Sequence, residues 1–335
     1  MDSLSQLLLG AGVSVAVMGR RTAVWKAALW GGVCGTLPDL DALIDHGDAI
    51  RNMTFHRAES HSLFYLTLLA PAIAAGVAKL HGEWVQWRRW WLALWLALFT
   101  HPLLDNMTIY GTQLAQPFTD HPFWIGSIFI IDPLYTLPLL VGLIGTGIAR
   151  GPNRLRWNTV GVALSTAYLG WSMLAQAWVT GIAERAVAAQ GIAAERMLVT
   201  PTPFNTLLWR VLVMDADGRR YHEGFYALAD RGRPIRFREF PTDAALHREL
   251  ATEWPVARMI WFSHGFYRMR EDAGRALIAD LRMGQEGGYA FEFVVARRGS
   301  GWRPVAIEAV GEGGDARAGL AWIWRRLQGE DLPPP

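Results

Sequence analysis

The chain has 335 residues, 51% apolar and 19% charged, with a net charge of +2. That length admits two domains, and with no basic stripe or base-stacking motif the charge gives no reason to expect a nucleic-acid partner. The single cysteine, Cys34, excludes an intramolecular disulfide and any cysteine-rich zinc site.

Apolar residues are concentrated in the first 180 positions. Residues 4–18 form the first apolar stretch. It follows Asp2 rather than a positive segment and lacks a small-residue cleavage site, so it reads as retained and not as a signal peptide. Residues 27–44 form a second, interrupted by Pro38, Asp39 and Asp41. Residues 62–78, 90–104, 127–149 and 157–179 follow, each near the roughly 17–25 residues that a bilayer requires.

The loops between these stretches differ in charge. Arg20, Arg21, Lys26, Lys79, Arg88, Arg89, Arg150, Arg154 and Arg156 fall in 19–26, 79–89 and 150–156, whereas 45–61 and 105–126 hold only Arg51 and Arg57. The positive-inside rule then places the first three loops in the cytoplasm and both termini outside. Trp84, Trp87, Trp90 and Trp91 fall at the cytoplasmic end of the fourth stretch, where an aromatic belt belongs.

Residues 181–197 continue with helical spacing. Residues 205–228 read as two strands around an Asp217–Gly218 turn, and 288–298 with 302–310 as another pair. Residues 242–251 read as a short helix capped by Thr242, and 330–335 as a disordered tail. The expected fold is therefore an α-helical polytopic membrane domain of about six spans over 1–180, followed by a small soluble, extracytoplasmic α+β domain over 181–335.

Three clusters of ligand-type residues interrupt the apolar half. They are Asp39 and Asp41 in "PDLD", His56 and His61 in "HRAESH", and His101 and Asp105 in "THPLLD". The charge count puts all three at the external face. Imidazoles suit zinc, iron, nickel or manganese, and carboxylates add hard oxygens that neutralise the cation. His101 and Asp105, four apart, share one side of a helix. His56 and His61 lie about 140° apart on an ideal helix, so they converge only if one leaves it. The set suits one ion with an open position for water, or two ions about 3.5–4 Å apart acting on a phosphoester.

Duller readings stand beside these. Asp39 can cap a helix after Pro38, and His101 with Asp105 can form a helix-terminal pair. Arg57 can clamp an anion or be an interfacial charge. Glu59 can be a general base or a solvated loop residue, and Asp132 an acceptor behind the site or a helix breaker with Pro133. Ionisable groups inside a membrane are costly enough that function is the default hypothesis. His46, His81 and His121 read as structural, and His222 and His264 lack spaced partners.

Four segments, "LWGGVCGTLPDLDALI", "FHRAESHSLF", "THPLLDNMTIYGTQL" and "SIFIIDPLYTLPLL", together resemble the bacterial inner-membrane metal-dependent hydrolases of the YdjM type. The likeness runs over about residues 1–180, and "TPTPFNTLLWRV" and "DLRMGQEGGYAFEFVVA" extend it towards residue 300. It implies Asp39, Asp41, His56, His61, His101 and Asp105 as a metal site, with Glu59 departing from the small or apolar residue usual there.

The expected function is a metal-activated water attacking an ester or phosphoester of a lipid or lipid-linked substrate at the external face of a bacterial inner membrane. The cofactor is one or two divalent ions, zinc or else manganese, iron or nickel. Asp105 accepts the proton and Arg57 pairs with a phosphate. Membrane lipids are the expected partners, and the oligomeric state is open. A metal or proton transporter is one alternative, disfavoured because the clusters share one face and no repeat is present. A non-catalytic membrane protein with a structural metal is the other. The C-terminal domain then binds a partner, or serves as a lid in the hydrolase.

Overall fold

The structure is a computed structural model that describes residues 1–311 and 315–335. The chain forms two compact units. One comprises Met1–Ile44, His56–Met173 and Pro203–Asn205; the other comprises Asp45–Phe55, Leu174–Thr202 and Thr206–Pro335.

The helices in chain order are α1 (Ser3–Met18), α2 (Val24–Thr36), the short α3 (Ala49–Phe55) of the second unit, α4 (Leu63–Leu80), α5 (Trp87–Asn106), α6 (Pro133–Ile148) and α7 (Leu155–Ala189). Their starts follow local chemistry. Asp2, Ser62 and Asp132 each accept a first-turn backbone N–H, and Pro133 supplies the fixed φ of a helix start. The core of the first unit packs Met18, Cys34, Ala70, Ala74, Trp90, Leu94 and Leu98.

Glycines let α1 and α2 approach backbone to backbone. A Cβ on Gly10 would lie 2.3 Å from the Gly31 carbonyl oxygen, and one on Gly35 would lie 2.5 Å from that of Gln6. Only residues without a side chain fit there. This crossing matters because Gln6 and Gly35 both reach the site described below.

The expectation of six spans is corrected here. Among the described residues, Leu63–Leu80 is the one helix both long and apolar enough to cross a membrane. The apolar α1 and α6 have 16 residues each, short of the roughly 20 that a span needs. Helix α2 stops after 13 residues, where Pro38 opens a 3-10 segment (Pro38–Leu43). Helix α5 carries Arg88 and Arg89 in its first turn and Asp105 near its end. The first unit is therefore a helical region and is not supported as a polytopic membrane domain. The orientation counted from alternate loops, and the side assigned to the C-terminal domain, fall with the six spans.

The second unit is rich in strands. Strands β1 (Ala194–Pro201), β2 (Leu208–Asp215), β3 (Arg220–Ala227) and β4 (Arg238–Pro241) form an antiparallel sheet in chain order. Helices α8 (Ala244–Leu250) and α9 (Trp254–Phe262) lead to β5 (Tyr267–Asp272), β6 (Arg275–Asp280), β7 (Gly284–Gln285), β8 (Gly288–Tyr289), β9 (Glu292–Arg298) and β10 (Trp302–Ala309). The second sheet has the order β10-β9-β6-β5, β7 pairs with β8, and α10 (Ala316–Leu327) follows. Asp243, not Thr242, caps α8. Residues 194–197, which carry a helical pattern, pair with β2 instead.

Candidate metal centre

The site lies within the first unit and draws on three segments. The Pro38–Leu43 segment presents Asp39 and Asp41, the 3-10 turn Glu59–His61 presents His61, and the last turns of α5 present His101 and Asp105. His61, His101 and Asp105 are fully buried, and the Asp39 side chain is 17% exposed. One donor atom from each of these four residues lies within 4.8 Å of all the others.

Hydrogen bonds orient both imidazoles. His101 Nδ1 lies 2.6 Å from the Gly35 carbonyl oxygen, which only accepts, so the proton sits on Nδ1 and Nε2 keeps its lone pair. The Ser60 hydroxyl donates to Asp41 Oδ2 at 2.5 Å and so accepts from His61 Nδ1 at 2.8 Å. His61 Nε2 is thereby freed as well, and it faces His101 Nε2 at 3.1 Å. Backing of this kind is what metal-bound histidines need to fix their tautomer.

Carboxylate oxygens close the set. Asp105 Oδ2 lies 3.2 Å from His61 Nε2 and 3.3 Å from His101 Nε2, and Asp39 Oδ1 lies 3.4 Å from each. Buried Asp105 Oδ2 makes no properly angled hydrogen bond. Four lone-pair atoms thus converge, an arrangement that repels itself unless a cation or proton sits among them. Tetrahedral bonds of about 2.0–2.1 Å would space donors by about 3.3–3.4 Å. The five distances of 3.1–3.4 Å that involve an imidazole nitrogen fit that closely. The donor set of two imidazoles and two carboxylates suits a divalent metal.

Protons stand in for the cation otherwise. Burial works to lower His61, but the carboxylates of Asp105, Asp39 and Asp41 beside its nitrogens outweigh it and raise the imidazole to about 9. Burial works to raise Asp39 and Asp41. Their histidine partners, His101 and His61 for Asp39 and His56 and His61 for Asp41, hold both well below the usual carboxylate range.

Of the remaining sequence candidates, Asp41, His56 and Arg57 adjoin the four, whereas, among the described residues, Glu59 and Asp132 make no hydrogen bond or ion pair with them. Asp41 meets His56 Nδ1 at 2.8 Å, the Ser60 hydroxyl and the Arg57 backbone N–H, and so braces the site from behind. His56 is 23% exposed and pairs with Asp41. Arg57 is buried, with Nη2 3.3 Å from Asp105 Oδ1 and its guanidinium over the Tyr110 ring. Its φ of 64° is a left-handed conformation costly for a side chain. Contacts at its N–H, its carbonyl (with Gln113) and its guanidinium hold it there. Glu59 points to solvent. Asp132 caps α6 and accepts from the Tyr168 hydroxyl at 2.8 Å.

Sequence reasoning missed Ser60, Gly35 and Gln6. Gln6 Nε2 donates to Asp105 Oδ1 and to the His101 carbonyl, each at 3.1 Å, and the Met1 amino group also contacts Asp105 Oδ1. Ser60 adjoins His61 and was findable. Gln6 and the Gly35 carbonyl carry no signal in the sequence.

A sequence profile of the YdjM inner membrane protein family matches residues 1–179. No curated protein and no solved structure matches the chain.

Proposed function

Because the chain belongs to the YdjM inner membrane protein family, we propose that Asp39, His61, His101 and Asp105 hold a divalent metal ion used to hydrolyse an ester or phosphoester of a membrane lipid. The observation that carries this reading is the meeting of two imidazole lone pairs with the unsatisfied Asp105 Oδ2 in a fully buried position. Such a group of acceptors is costly without a cation.

A bound divalent ion would polarise a carbonyl or phosphoryl oxygen and bring the pKa of water towards neutrality. The chain supplies the rest. Ser60 with Asp41, and the Gly35 carbonyl, hold the imidazoles in one tautomer. Arg57 and Gln6 fix Asp105 from its other oxygen. Asp39 is the one ligand open to solvent, so substrate approaches from its side. Leu40, Leu43 and Ile44, next to it, are exposed, Leu43 to 83%. An apolar rim beside a polar, metal-binding centre favours an amphiphilic substrate over a freely soluble one.

The test is hydrolysis of a panel of phospholipids and acyl esters by the purified full-length protein, with and without chelator. Release of product that chelator abolishes and added metal restores supports the reading. Turnover indifferent to chelator, or metal binding without turnover on any lipid, counts against it.

A further inference from the structure

A second set of polar groups lies in the second unit, on one face of the β10-β9-β6-β5 sheet. Alternation along β5 puts Arg268, Arg270 and Asp272 on one face. The register sets Arg270 opposite Leu277 and Asp272 opposite Arg275, so Arg275 joins them. The β7–β8 turn brings Glu286 and Tyr289 over this face, and Glu292 opens β9 beside it. Together they line a cavity of about 610 Å³.

The hydrogen-bonding capacity of its wall is unevenly spent. Glu286 receives Arg268 Nη1 on both oxygens, at 2.9 and 3.1 Å, and the Tyr221 hydroxyl on Oε2. Glu292 Oε1 receives Arg268 Nη2 and Arg270 Nε, and Oε2 receives Arg270 Nη2 at 3.2 Å. The oxygens of Glu286 and Glu292 are thus all engaged, and Asp272 Oδ2 accepts from Arg275 Nη2 at 2.5 Å. By contrast, Arg268 Nε is buried with no partner, and Arg270 and Arg275, each also beside Asp272, remain 40% and 33% exposed with N–H groups left over. Each guanidinium offers five N–H donors in a fixed fork, more than the carboxylates of Glu286, Glu292 and Asp272 consume. What the wall still asks for is an acceptor-rich group.

We infer that this cavity is a ligand site for a phosphate group, bound by the spare donors of Arg268, Arg270 and Arg275. A tetrahedral oxyanion meets guanidinium forks from several directions at once, which a single carboxylate cannot. The site is independent of the metal centre and stands whether or not that centre is a hydrolase. Its ligand is a soluble phosphate monoester or a phosphate-bearing lipid headgroup.

The experiment is calorimetric titration of the chelator-treated full-length protein in nanodiscs at low salt. Glycerol 3-phosphate is the soluble probe, and vesicles containing phosphatidic acid form the separate lipid arm. Saturable binding is expected in one arm, which identifies the source. It should weaken about tenfold or more in Arg270→Gln and Arg275→Gln, as loss of a charge-assisted hydrogen bond does. It should be unchanged in His101→Ala and should tighten severalfold in Glu286→Gln, which releases Arg268. Because misfolding does not tighten binding, the last variant separates a site from a merely structural network. Absence of saturable binding in both arms, binding indifferent to the arginine substitutions, or no gain in Glu286→Gln would overturn the assignment.

Discussion

His61 and His101 present their Nε2 atoms to one another across 3.1 Å, and each ring has its Nδ1 tied to a group that accepts a proton. This backing leaves both rings as Nδ1–H donors once an arriving ion displaces the Nε2 proton that His61 carries in the metal-free site. Nitrogen-15 shifts of the metal-loaded protein should show Nδ1–H and ligated Nε2 for both. Either ring bound through Nδ1 would break the arrangement, since that atom faces Ser60 or Gly35.

Ser60 and Glu59 are neighbours with opposite expected effects. Ser60 links His61 to Asp41, and loss of such backing costs about 10–100-fold in metal affinity. Ser60→Ala should show that loss in chelator competition while keeping its stoichiometry. Glu59→Ala, at a solvent-exposed position, should bind as the parent does.

Metal affinity should fall as pH falls. His61, raised to about 9 in the metal-free site, carries a proton at neutral pH that an arriving ion must expel. Affinity therefore climbs with pH, by about tenfold per unit for each proton released, and flattens once the pH passes the raised value. Chelator competition across that range checks the sign. A flat profile would mean that His61 does not bind the ion.

Gly35→Ala probes the link between helix packing and site. Its Cβ would sit 2.5 Å from the Gln6 carbonyl oxygen. Overpacking of this kind costs about 1–3 kcal/mol, and here it also displaces the carbonyl that orients His101. Thermal denaturation should show a lowered midpoint and titration a weakened metal site. Gly76→Ala in α4, with nothing near its added Cβ, should be neutral or stabilising by up to about 1 kcal/mol.

Ligand chemistry was legible in the residues themselves, since Asp39, His61, His101 and Asp105 stand out from apolar surroundings. Which of the six candidates meet was not legible. That depends on the 3-10 turns at Pro38–Leu43 and Glu59–His61, which aim Asp39 and His61 inward and leave Asp41 with His56. The reason first offered for convergence, a shared membrane face, rested on six spans and failed with them. Apolar composition does not set helix length, and Pro38 and Pro133 cut α2 and α6 short. The Asp217–Gly218 turn was readable because its chemistry is local. Residues 194–197 misled because Ala, Glu, Arg and Met favour helices, yet pairing with β2 overrides that preference.

Metal content per chain, measured on full-length protein reconstituted with zinc or manganese and then desalted, bears most directly on the site. The geometry predicts an equimolar ion in the parent and in Glu59→Ala, and loss to background in His61→Ala, His101→Ala and Asp105→Asn variants that remain folded. A parent protein without bound metal, or ligand variants that retain it in full, would contradict the metal centre.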